Sequence, residues 1–193
     1  VQEQAYFRMY SVANITADAP SGEKVQPGAA VKGNLFFGGA GMDGGYITDM
    51  VRAFETQSIK LQPVNRDIWS GGTALDATFG VDVLRYGASP WTVLIDAPDQ
   101  VNQTQFNLVG YSYGSLVAAQ VAQKYGEAGT YVDNLVLVGS PISEAFLTAL
   151  RNNPNIGRVI VVDLVSQGDP IYAGMGRDTL VLSAPKLAWQ MLN

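Results

Sequence analysis

The sequence predicts an α/β fold, in one domain over residues 1–193, with a mostly parallel sheet and helices on both faces. Runs such as NLVLVG at 134–139 and RVIVVDL at 158–164 are apolar at nearly every position instead of every second one, which is what a strand buried on both faces requires. Such runs alternate along the chain with segments of helical periodicity, the signature of strand–helix units stacked into one sheet. The length of 193 residues, 47% of them hydrophobic, is enough for one core and short for two ordinary domains.

In chain order, residues 5–13 mix polar and apolar positions and read as an edge strand, and the Pro, Gly and Ser of 17–28 read as a surface loop. VKGNLFFGG at 31–39 reads as a buried strand that stops on glycines. After a glycine-rich loop at 38–45, residues 46–57 place Ile47, Met50, Val51 and Phe54 at helical spacing. SIKLQPV at 58–64 reads as the next strand, and Pro63 assigns it to an edge. Leu75, Phe79, Val83 and Tyr86 give 71–88 a helical period, interrupted by Gly80. Three units follow: a strand at 106–110 with a helix at 115–126, a strand at 134–139 with a helix at 143–153, and a strand at 158–164 with a long polar connection. Ser143 caps the second of these helices and Asn153-Pro154 ends it.

Composition removes several kinds of function. The formal charge is −5, from 17 acidic and 12 basic residues, and no window gathers Lys and Arg into a stripe, so no nucleic acid partner is expected. The apolar runs are far shorter than a membrane span, so no transmembrane segment is expected. Residues 1–10 have neither a basic region nor an apolar one and do not begin with Met; they read as the start of a processed or cut chain and disclose no compartment. With no cysteine and no histidine there is no disulfide, no thiolate nucleophile and neither of the common transition-metal ligands; only an oxygen-ligated ion such as Mg²⁺ or Ca²⁺ would remain, and no EF-hand-like spacing is present. Neither a metal nor a cofactor is expected.

The chemistry gathers at FNLVGYSYGSLVAAQ, residues 106–120. Gly110-Tyr111-Ser112-Tyr113-Gly114 matches G-x-S-x-G. A strand that turns directly into a helix strains its middle residue, and positions two before and two after it must lack bulk for the two elements to approach. The outcome is a hydroxyl raised above the sheet, beside a helix N-terminus whose amides favour negative charge. The plain structural alternative is an ordinary Gly-Ser turn, since 21 glycines make a chance match easy.

Through this motif, between a strand and a helix, the chain resembles the α/β-hydrolase superfamily of serine esterases and lipases. The resemblance covers most of the sequence as an order of elements. It implies that Ser112 is the nucleophile, that the amide of Tyr113 is one oxyanion donor, and that the second comes from the loop after an earlier strand, best matched by Ala40 or its neighbour Gly41. That loop has a rival reading. Gly39-Ala40-Gly41-Met42-Asp43-Gly44 also fits the dinucleotide pattern G-x-G-x-x-G, with Asp67 as the only acidic residue near the position a ribose requires. A plain turn is a third reading. The oxyanion reading is preferred because it accounts for this loop and the serine turn together.

The family's acid follows a later strand. Asp163 and Asp169 stand there, and Asp169, between Gly168 and Pro170 in a rigid turn, is the better match; the competing reading is a turn aspartate that caps its own backbone. The family's histidine has no counterpart. Its role falls to a segment or fragment outside this sequence, or to Lys186, or to nothing, in a fold that has become a binding module. The Ala-Pro-x-Leu-Ala phrase around Lys186 is similar to one in cutinases, where x is the histidine; cutinases also carry disulfides, which this chain cannot form. The reading adopted is a serine hydrolase that cleaves carboxylic or lipid esters through an acyl-enzyme, with its base outside this sequence and the isolated chain nearly inactive. The alternatives are the binding module and a dinucleotide-binding domain.

Overall fold

The computed structural model describes residues 31–39, 45–63, 81, 84–87 and 103–162. The readings made for 5–13, 17–28, most of 71–88 and the segment after 162 lie outside them. The elements are β1 (Gly33–Phe37), α1 (Gly45–Glu55), β2 (Leu61–Pro63), β3 (Phe106–Tyr111), α2 (Tyr113–Glu127), β4 (Val132–Val138), α3 (Glu144–Arg151) and β5 (Ile156–Val162). The five strands form one sheet in the order β2-β1-β3-β4-β5, and every pairing is parallel.

The side-chain period of a strand divides the core in two. On one face Leu35, Phe37, Leu108, Leu135 and Leu137 join Leu116, Val117 and Val121 of α2 and Phe146 and Leu150 of α3. On the other, Phe36, Val109, Val136 and Val138 join Met50 and Phe54 of α1. Both faces are therefore covered, which explains the continuous apolar runs. Pro63 ends β2 at an exposed position on a strand that, among the described residues, has only β1 as its partner, which suits its missing amide. Ser143 caps α3 by accepting the amide of Phe146 at 3.2 Å.

Some boundaries differ from those the sequence predicts. α2 begins at Tyr113, two residues early, because the turn after β3 consists of Ser112 alone. β4 and β5 each begin two residues early, at Val132 and Ile156. β5 is less buried than its composition implies, with Val161 exposed, because among the described residues only β4 pairs with it. Tyr86 does not join an apolar helix face. It is 58% exposed, Leu84 is buried instead, and the Arg85 guanidinium lies over the Tyr86 ring. The chain is already turning there: Gly87 has φ 72, and its amide reaches back to the Leu84 carbonyl at 3.2 Å.

One feature of the sheet was not read from the sequence. Asn34, Asn107 and Asn134 stand side by side on β1, β3 and β4, all buried on the α1 face. Nδ2 of Asn107 donates to Oδ1 of Asn34 at 2.7 Å, and Nδ2 of Asn134 donates to Oδ1 of Asn107 at 2.7 Å. A slip of one residue would bury these amides without partners, so the ladder specifies register.

Candidate active site

β3 ends at Tyr111 and α2 begins at Tyr113, leaving Ser112 alone to reverse the chain. Ser112 has φ 53 and ψ −122, close to the first central position of a type II′ turn, which normally holds glycine. Holding a serine there costs about 1–3 kcal/mol, and the surroundings must impose it. Its amide donates to the Val138 carbonyl at 2.9 Å, at the end of β4. Its carbonyl accepts the Ser115 amide at 3.0 Å and also the Ser115 hydroxyl. The peptide groups on both sides of the turn are thus fixed.

The two motif glycines supply the space. A Cβ on Gly110 would run into the backbone of Gly114 and Ser115, and one on Gly114 into the carbonyl oxygens of Phe37 and Gly38. The first contact lets α2 fold back directly over β3. The second seats the first turn of α2 on the end of β1, where the glycine-rich loop departs. Phe37 and Gly110 are also register partners, so that loop starts beside the serine turn. This place, between β1 and β3 where the strand order reverses, is where parallel sheets receive ligands.

Ser112 occupies the N-cap position of α2, yet its side chain makes no capping hydrogen bond. A serine in that position usually spends its hydroxyl on a helix amide. Here ψ turns the side chain away from that use, and the residue is partly exposed. The first turn of α2 carries no acidic residue to offset the positive end of the helix. Tyr113 is the first helical residue, and its side chain is buried.

Residues 93–174 match the family model for the alpha/beta hydrolase fold. The match spans less than half of the 193 residues, and it agrees with the parallel sheet and covering helices described above. No curated protein matches the chain. The matched span contains Ser112, Tyr113 and Asp169. Of the expected site residues, the structure describes Ser112 and Tyr113 and brings them together at the sheet's carboxyl end. Ala40, Gly41, Asp163, Asp169, Lys186 and Asp67 lie outside the described residues. Two hydroxyls not singled out from the sequence stand beneath the turn: Ser115, fully buried, and Ser140, whose Oγ atoms are 2.6 Å apart. The only sequence signals for them are a serine just after G-x-S-x-G and a Ser-Pro step after an apolar strand.

Proposed function

We propose that the chain is a serine hydrolase of carboxylic esters, lipid esters among them. Ser112 would attack the ester carbonyl, the amides of Tyr113 and Ala40 would hold the oxyanion, and Asp169 would orient the base. The alcohol would leave, and water would then hydrolyse the acyl-enzyme. The observation that carries this reading is Ser112 itself, held at φ 53 with a partly exposed side chain that does not cap its own helix. A merely structural turn gains nothing from a serine in a conformation that suits glycine. Since the sequence has no histidine, we place the base outside these residues.

Chemical rescue tests this reading. The full 193-residue chain is given p-nitrophenyl esters with and without added imidazole, alongside Ser112→Ala, and is treated separately with a fluorophosphonate probe. The expected result is little hydrolysis alone, an imidazole-dependent rate that Ser112→Ala abolishes, and a probe adduct on Ser112. No Ser112-dependent rate and no adduct would overturn the enzyme. The lack of histidine favours a second reading, a non-catalytic binding module on the same fold, and that null result is the one it expects.

A further inference from the structure

We propose that Ser115 and Ser140 are positioning residues which hold the Ser112 turn in its strained conformation through a one-way chain of hydrogen bonds. The inference rests on the reading of Ser112 as nucleophile and extends it to the segment after β4.

Proton counting fixes the direction of the chain. The Ser115 hydroxyl is within hydrogen-bonding distance of both the Ser112 carbonyl and the Ser140 hydroxyl. A serine has one proton to give, and the carbonyl can only accept. The arrangement that uses every proton once has Ser115 donating to the Ser112 carbonyl while Ser140 donates to Ser115 Oγ. Ser140 Oγ in turn accepts the Ile142 amide at 3.3 Å. In the opposite direction the Ser115 proton would be taken from the carbonyl, leaving two oxygens in contact without a hydrogen between them.

The consequence is that β4 and its exit hold the turn at both ends. The Val138 carbonyl takes the Ser112 amide directly. Ser140, two residues further on, holds the Ser112 carbonyl through Ser115. The Ser115 amide already holds the Ser112 carbonyl at 3.0 Å, and the hydroxyl chain adds a second bond to the same oxygen. Together they resist rotation about ψ of Ser112, which would re-aim the amide of Tyr113. Gly139, between the two anchors, has φ 55, and its own amide is bonded to the Val162 carbonyl at 2.9 Å. The segment that carries Ser140 is thereby tied to β5.

The test compares Ser140→Ala, Ser115→Ala, the double variant and Ser140→Thr, which keeps the hydroxyl. Two readouts are used: the rate of fluorophosphonate labelling of Ser112 with imidazole present, and amide hydrogen exchange at Ser112 and Tyr113. Losing one net hydrogen bond should slow labelling, and lower protection at the turn, by about five- to tenfold. Exchange at Val136 in mid-strand should not change. The double variant should resemble either single one, and Ser140→Thr should restore both readouts. A merely structural role would lower the melting temperature without a selective loss at the turn or a rescue by threonine. Labelling of wild type and Ser140→Ala at equal rates would overturn the positioning role and leave the hydrolase reading intact. If the wild type is not labelled, the hydrolase reading falls and exchange alone decides: unchanged protection in Ser140→Ala overturns the anchor, and a selective loss supports it.

Discussion

The amide of Ser112 donates to the carbonyl of Val138 at 2.9 Å, extending the β3–β4 ladder one residue beyond the last strand pair, Tyr111 with Val138. The sheet thus reaches into the turn and holds in place a residue whose backbone would otherwise relax. Whatever Ser112 does, the neighbouring strand maintains its conformation.

The strain at Ser112 is measurable as stability. Ser112→Gly places at φ 53 the residue that tolerates it, whereas Ser112→Ala keeps the steric cost. We expect the glycine variant to be the more stable of the two by about 1 kcal/mol in urea unfolding, with both losing any Ser112-dependent reaction. A glycine variant no more stable than the alanine one would show that the turn is not strained.

Gly114 is inside a helix, where alanine ordinarily gains up to about 1 kcal/mol. Here the added methyl meets the carbonyl oxygens of Phe37 and Gly38, which are backbone atoms and cannot swing aside. Gly114→Ala should therefore destabilise by about 2–3 kcal/mol and push α2 away from β1. At Gly126, in the same helix, the nearest atoms the methyl meets belong to the side chain of Asn153, which can give way, so the melting temperature should fall less there.

Asn107 is the middle member of the asparagine ladder. Asn107→Ala removes the donor to Asn34 and the acceptor for Asn134, and should cost about 3 kcal/mol by denaturant unfolding. Replacing Asn34, Asn107 and Asn134 together by leucine should cost less than the sum of the three single leucine substitutions, because no orphaned amide is left behind. Additive costs would mean that the three side chains do not act as one unit.

The glycine loop between β1 and α1 permits a direct test of the dinucleotide alternative. A ligand at 100 times its dissociation constant stabilises a fold by about 2.7 kcal/mol, a shift of several degrees in melting temperature. We expect no shift with NAD, NADP or flavin mononucleotide at millimolar concentration. A saturable shift would transfer the loop from oxyanion binding to cofactor binding.

Much of this architecture was legible in the sequence. β3 and β4 are apolar at nearly every position because helices cover both faces of the sheet, and α1 carries its apolar residues at the spacing that meets one of those faces. The serine turn was legible for a local reason: Gly110 and Gly114 are required by contacts within and immediately beside the motif. Tyr86 misled because periodicity cannot see that the helix ends at Leu84, three residues before a glycine at positive φ.

By itself, then, the sequence determined the alternation of strands and helices, the sharp turn at Ser112 and the absence of any histidine, since each depends on residues close together or on composition alone. Only the tertiary structure decided that β1 lies beside β3, that Asn34, Asn107 and Asn134 meet across three strands, and that Val138 and Ser140 hold the two ends of the turn. These are pairings between residues 25 or more positions apart. A hydrogen bond across such a distance leaves no periodic trace in the chain, because its partner is chosen by the order in which the strands assemble.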